Sequence, residues 1–309
     1  MKAIVHIGLS WQGYYRPQGP KSPEELDRDR RRVREILQRM GYDHLFRLEQ
    51  HYYNFTLEKG DRCLDVLIEQ LQKWPELASP HIRVEHRYAR QELEAADLLV
   101  WSPTNQAIED DYYDLHEDGY QGGPCASHTR CRVCRAELQQ VRDLAVNKAL
   151  VRGKDVSLTY SFEVILSERV AQLFQEQGLT GLGLRPVRHY KKPYEGEPAL
   201  YQLVVTNVLP TMASPPTEFE RVRECSTCGR RSQFLKHEQW WGKIRYIDDT
   251  DIYYPCHVSK IVKDFNHTAE NFGELPAGGP YVIITQQVYR LLREHKVKNW
   301  TAVPVYMID

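Results

Sequence analysis

Two thiols separated by two residues occur twice in this chain, as Cys131 and Cys134 in "CRVC" and as Cys225 and Cys228 in "CSTCGR". Such spacing lets a tight turn aim both sulfurs at one ion while backbone N–H groups stay free to bond them. Gly229 suits the left-handed residue that the turn often needs. Together the four thiolates form a C-x2-C…C-x2-C set, the usual ligands of a structural zinc ribbon, with Cys131, Cys134, Cys225 and Cys228 holding Zn2+. Residues 135 to 224 separate the pairs, so the fold must bring them together. A closed four-thiolate shell leaves no position for water, which argues for structure over catalysis.

Other assignments stay open on spacing alone. "CASHTRCRVC" could bind locally through Cys125, His128, Cys131 and Cys134. Either C-x-x-C could be a redox pair, although neither opens a helix after a strand, or all the thiols could be metal-free. Cys63 sits among Val66, Leu67 and Ile68 and reads as packed core, and Cys256 beside His257 lacks partners at ligand spacing and reads as structural.

Enzyme signatures mostly fail. "HEQWW" has Trp241 where a zinc-protease helix needs its second histidine, "GLSWQG" is too long for a nucleophile elbow, and "GLTGLG" has the wrong spacing for a dinucleotide turn. The one stretch left to watch is "RLEQHYYNF", where Glu49, His51 and Tyr53 alternate on one expected strand face.

Composition bounds the rest. The 309 residues suggest two domains, and 41% apolar with 27% charged residues is enough to bury and too little charge for disorder. A formal net charge of -1 gives no global field toward nucleic acid or lipid. The basic run "RDRRRVRE" at 28 to 35 is interleaved with Asp29 and Glu35, and the acidic tract 109 to 118 offsets it. No apolar run reaches the roughly 18 residues of a membrane span, and the amino terminus lacks a signal peptide's apolar core, so a cytoplasmic protein is expected. Seven cysteines in a reducing compartment favour metal over disulfides.

These ligands need elements to carry them, and an α+β architecture is expected. Residues 1–101 read as a small α/β domain, open-faced or ferredoxin-like. It has strands at "AIVHIGL", "LFRLEQHYYNFTL", "HIRVEHRYA" and "DLLVWS", and helices at "SPEELDRDRRRVREILQRMG", "DRCLDVLIEQLQKW" and "RQELEAA". Residues 102–127 read as a linker, and 128–309 as the double-CxxC α+β domain. Within the latter, residues 162–187 align without a gap against 280–305: Val164 with Val282, Val170 with Val288, Pro186-Val187 with Pro304-Val305. Ser167 and Thr285 share a place where a hydroxyl should cap the helix that follows. Each copy reads as strand, capped helix, turn, strand, and two copies suggest a pseudo-symmetric pair.

The first C-x-x-C pair, "CSTCGR" far downstream, the intervening "VILSERVAQLFQEQGLTGLGLRPV" and the closing "VPVY" resemble the double-CXXCG-motif proteins, a myxobacterial-type family of immunity proteins in polymorphic toxin systems. The likeness covers roughly residues 125–309, with Arg135 standing where the family has glycine. It implies a non-enzymatic protein whose partner is a cognate toxin, neutralised by stoichiometric binding, and it leaves the amino-terminal domain unexplained. Trp240-Trp241 and the acidic tract are candidates for such a binding surface. A zinc-ribbon nucleic-acid or regulatory module, using the basic helix, is the alternative, and an enzyme centred on the amino-terminal domain is a third.

Overall fold

The computed structural model describes residues 2–10, 24, 27, 28, 31, 34, 35, 38, 39, 47–49, 52–58, 69, 81–105, 128–134, 137–159, 162–189, 199–214, 217, 219–235, 238–241, 244–248, 251–272 and 279–309. Helices and strands are both present, making the protein α+β, and it divides into two compact units.

The first unit comprises Met1–Arg90 and Lys236–Thr250. Its strands are β1 (Lys2–Ser10), β2 (Arg47–Glu49), β3 (Tyr52–Glu58) and β4 (His81–Arg87), joined by β16 (Glu238–Trp241) and β17 (Ile244–Asp248). They form one sheet in the order β16-β17-β4-β1-β3-β2. Neighbours among β1 to β4 are antiparallel, and β17 adds parallel to β4. Between β1 and β2 in the chain, Glu24, Asp27, Arg28, Arg31, Arg34, Glu35, Gln38 and Arg39 are helical and exposed, a single face at helical spacing. Glu49 and Tyr53 do not share a strand as the sequence suggested. They lie instead on the antiparallel neighbours β2 and β3, and His51 is outside the described residues.

The second unit comprises Gln91–Leu235 and Asp251–Asp309. Its strands are β5 (Leu98–Pro103), β6 (His128–Arg130), β7 (Glu137–Gln140), β8 (Ala145–Val146), β9 (Val156–Leu158), β10 (Val164–Ser167), β11 (Leu182–Pro186), β12 (Arg188–His189), β13 (Leu200–Val205), β14 (Phe219–Glu224), β15 (Arg231–Leu235), β18 (Ile252–Pro255), β19 (Phe265–His267), β20 (Val282–Thr285) and β21 (Trp300–Ile308). Its two long helices are α1 (Glu168–Glu176) and α2 (Gln286–Glu294). The sequence placed a domain boundary at 101 and gave "DLLVWS" to the amino-terminal domain. In the structure that segment is β5, paired on both sides inside the second unit between β20 and β21, and the division falls after Arg90.

A four-stranded and a five-stranded sheet carry the unit. One has the order β11-β13-β10-β9; the other contains β21-β5-β20-β19 with β18 added beyond β21. The orders superimpose strand for strand, and so do the registers. Val164 opposite Leu203 corresponds to Val282 opposite Trp101, and Leu182 opposite Val205 to Trp300 opposite Pro103. The duplication therefore extends beyond the aligned segments. Upstream, β8, the helical turn Lys148–Val151 and β9 match β18, the 3-10 turn Cys256–Lys260 and β19, and β8 pairs parallel to β12 as β18 does to β21. One strand breaks the chain order: β13 follows α1 in the first copy, whereas its counterpart β5 precedes both copies.

The helices end alike. Gln177 and His295 donate to Leu173 and Leu291 carbonyls, and Leu179 and Val297 to those of Phe174 and Leu292. Left-handed residues follow at matching places, Gly178 (φ 60°) with Lys296 (φ 50°) and Gly181 (φ 79°) with Asn299 (φ 68°).

Their beginnings correct an expectation. Ser167 and Thr285 have the extended backbone of an N-cap, but neither hydroxyl bonds its own helix. Each points instead to an aspartate just before the neighbouring strand, Ser167 to Asp155 at 3.5 Å and Thr285 to Asp264 at 3.2 Å. Those aspartates then reach into the opposite copy. Asp264 accepts the Thr180 N–H at 2.8 Å and hydroxyl at 2.7 Å, while Asp155 accepts the N–H of Lys298, the residue matching Thr180, at 2.8 Å. A carboxylate taking backbone N–H groups is a stronger acceptor than a hydroxyl, and here it ties the halves reciprocally.

Both helices bury their apolar stripes, Val170, Ala171, Leu173 and Phe174 on one and Val288, Tyr289, Leu291 and Leu292 on the other, in a single core. That core also takes Val164 and Leu166 from β10, Val282 and Ile284 from β20, and Leu99 and Trp101 from β5. The alternating residues Ile165 and Ile283 face two separate smaller cores behind the sheets.

This packing can be probed at two points. A Cβ on Gly181 would lie 2.1 Å from the Phe265 carbonyl oxygen, whereas one on Gly178 meets nothing within 4 Å. Gly178→Ala should cost about 1 kcal/mol, the left-handed backbone alone, and Gly181→Ala roughly 3 kcal/mol or more, because backbone must move. Equal urea midpoints for the two variants would refute the close approach. Glu270, 4% exposed behind the second sheet, accepts the Met212 N–H through Oε1 while Oε2 has no partner. Burial raises its pKa despite that bond. The folded state then holds a proton the unfolded state releases, so stability falls as pH rises from the ordinary glutamate range through the raised value. Glu270→Gln should remove this loss, and its advantage over the native chain, followed by denaturation, should grow across that window and then level.

Candidate metal centre

Each C-x-x-C sits at the tip of a β-hairpin of the second unit. In the first, β6 and β7 pair antiparallel with a register irregularity at Thr129 and Arg130, and Cys131–Cys134 make the turn. In the second, β14 and β15 pair with Glu224 opposite Arg231, and residues 225–230 turn. There Cys225 N–H donates to the Arg230 carbonyl at 3.0 Å and Gly229 N–H to the Cys225 carbonyl at 2.8 Å, which the φ of 69° at Gly229 permits. An ion pair of 2.6 Å between Arg231 and Glu224 spans the base of this turn, half-exposed and so of modest worth.

The hairpins are rooted in different halves of the duplicated unit. Gln140, ending the first, donates to Gln202 of β13 at 2.8 Å and accepts from Arg185 of β11 at 2.7 Å. The second is held through Gln233, whose N–H donates to the Asn271 carbonyl at 2.8 Å, and through Phe219, whose ring lies 6.5 Å from that of Phe272. Phe272 in turn stacks on Tyr281 at 4.1 Å. One hairpin precedes β8, and the other precedes its counterpart β18 after the excursion through β16 and β17. Each copy thus contributes one pair of thiols at the same point in its chain.

All four sulfurs meet, lying within 4.8 Å of one another. Across the hairpins, Cys131 Sγ is 3.8 Å from Cys225 Sγ and Cys134 Sγ is 3.5 Å from Cys228 Sγ. Those distances suit a shared ion, since a regular tetrahedron with metal–sulfur bonds of about 2.3 Å has edges of about 3.8 Å. Cys131 and Cys225 are buried, while Cys134 and Cys228 are half-buried.

The turns also prepare the sulfurs electronically. Backbone N–H groups of Cys134 and Val133 aim at Cys131 and hold its pKa below the ordinary thiol value. Those of Cys228 and Thr227 do the same for Cys225, lowering it to about 6. Thiolate is the ligating form, so the same geometry that gathers the sulfurs lowers the cost of losing their protons. The two-residue spacing within each C-x-x-C already implied these N–H contacts.

Cys125, Cys63, Arg135 and the acidic tract 109–118 are outside the described residues, and His128 is placed by its backbone in β6 opposite Gln140. Cys256 is exposed in its own turn, where partial loss of hydration at the thiol and the Asp309 carboxylate beside it push its pKa up. Trp240 and Trp241 lie on β16, at the edge of the first unit's sheet. No helix among the described residues is long and apolar enough to cross a membrane. No protein-family model matches the chain, and no curated protein matches it.

The ligand set can be tested singly. Cys131→Ala and Cys225→Ala should each abolish retention of a divalent ion through gel filtration, whereas Cys256→Ala should retain it at the native stoichiometry. Retention by Cys225→Ala would dissolve the four-sulfur assignment.

Proposed function

We propose that the chain is a zinc-stabilised, non-enzymatic binding protein of the immunity type, which neutralises a cognate bacterial toxin by stoichiometric binding. The observation that carries the metal part is the convergence of four thiols from two hairpins. An all-sulfur, four-coordinate donor set is soft and closed, which favours zinc in a structural role over hard cations or over an open catalytic site. In that reading Cys131, Cys134, Cys225 and Cys228 hold Zn2+, and the ion supplies folding free energy by fixing one copy of the duplicated unit to the other.

Support for the immunity part comes from the residues that carry the likeness to double-CXXCG-motif proteins: the two C-x-x-C pairs, the helix with its preceding strand at 164–176, and the closing "VPVY". A partner would be met by a preformed surface, in which aromatic and charged anchors supply most of the energy. The competing reading, a nucleic-acid module, draws on Arg28, Arg31, Arg34 and Arg39, exposed on one helical face. It requires affinity that falls steeply with salt.

Elemental analysis of the purified protein should find one zinc per chain in the native form and none in Cys225→Ala, with a lowered unfolding midpoint in the variant. Pull-down with the product of the reading frame beside the gene should recover a one-to-one complex that survives raised salt. Capture of nucleic acid that disappears with salt would favour the competing module instead.

A further inference from the structure

The four sulfurs are not equivalent toward solvent. Cys131 and Cys225 are only 4% and 6% exposed and face each other at 3.8 Å. Cys134 and Cys228 are half-buried, and their separation of 3.5 Å is shorter than that of the buried pair. The more exposed residue of each hairpin is thus the one an oxidant arriving from water meets first, and the sulfurs of these two residues are already close. Reactivity of a thiolate follows its access and its ionised fraction, and ligation by a metal keeps thiolates ionised.

We propose that this centre is also an oxidation site, at which hydrogen peroxide joins Cys134 to Cys228 in a disulfide that crosses between the hairpins and displaces the ion. The displacement rests on the metal reading above; the crosslink rests on the thiol geometry alone. One thiolate attacks a peroxide oxygen, the O–O bond breaks, and the departing hydroxide takes a proton to become water, leaving a sulfenic acid. The second thiolate attacks that sulfur and expels its hydroxide, which becomes a second water. Two sulfurs lose two electrons in total, the peroxide gains them, and one S–S bond forms. Closing from 3.5 Å to a bond of about 2.05 Å is a shift that two hairpin tips can share.

The consequence differs from ordinary loss of metal. A disulfide inside either C-x-x-C would leave the hairpins without a crosslink, so the metal link would be lost with nothing in its place. The cross-hairpin bond instead keeps residues 134 and 228 joined, so the second unit is held in place of the ion it releases. Cys131 and Cys225 remain as a buried pair of thiols, too few to retain a four-coordinate ion tightly. Reduction by a dithiol would restore the ligand set.

The test uses the full-length chain carrying Cys256→Ser, which removes the exposed bystander thiol. The reduced, zinc-loaded protein is treated with hydrogen peroxide, release is followed with a chromogenic chelator, and the disulfides are mapped by mass spectrometry of a non-reduced digest. The expected result is one zinc released per chain in step with one Cys134–Cys228 disulfide, both reversed by dithiothreitol. Disulfides within Cys131–Cys134 or Cys225–Cys228, or sulfinic acids without a crosslink, would overturn the proposal while leaving the metal site intact. Reduced protein without zinc would refute the metal reading by itself. The same mapping on that protein still decides the crosslink, supporting it if Cys134 and Cys228 join and overturning it if they do not.

Discussion

Burial of two amphipathic helices in one core is the constraint on which the second unit depends. Each helix offers four buried residues at i, i+1, i+3 and i+4, and the sheet beside it presents a matching row, Val164 and Leu166 on one side and Val282 and Ile284 on the other. A half built from four short strands and one nine-residue helix buries too little alone, because surface grows relative to volume as a unit shrinks. Joined, the halves place Phe174, Phe265 and Trp101 in ring contact through Phe265, with centroids 5.1 and 5.9 Å apart across the pairs. The reciprocal aspartate bonds then fix how one half sits on the other, since each carboxylate satisfies a backbone N–H that the opposite turn leaves unpaired.

The four-thiol cluster is best understood as a second joint on the same pseudo-symmetric plan. Its hairpins leave equivalent points of the two copies, so the internal symmetry that pairs the helices also makes the hairpins converge. An ion there closes a chain segment running from residue 134 to 225, and loops of that order cost several kcal/mol of conformational entropy to close without a link. The core has already closed that segment, so an ion bound there would act on a joint organised beforehand.

The sequence made some of this legible and hid the rest for physical reasons. The ligand residues were readable because tight turns at C-x-x-C are local events, and the strand-helix-strand copies were readable because residues 162–187 and 280–305 align without a gap. The upstream parts of the repeat were hidden by the longer connection between β19 and β20, residues 268–281, which destroys the alignment while leaving strand order intact. That extra loop carries Phe272, the anchor of the second hairpin. The role of β5 was concealed because "DLLVWS" has the local pattern of any buried strand, and its partners lie about two hundred residues away in sequence. Likewise β17 joins β4 in parallel across the chain, a pairing with no turn to announce it.

Ser167 and Thr285 show how a sound local rule loses to tertiary structure. A hydroxyl at the N-cap position normally satisfies one N–H of its own helix, and these two have the required backbone. Asp155 and Asp264 accept the hydroxyl protons, and the orientation that lets each side chain donate to its aspartate leaves its oxygen without a bond to the helix N–H groups. The helices give up a local cap, and the two halves gain a link. The shared core, the reciprocal aspartate bonds and the thiol cluster thus all act at one place, the joint between the two copies.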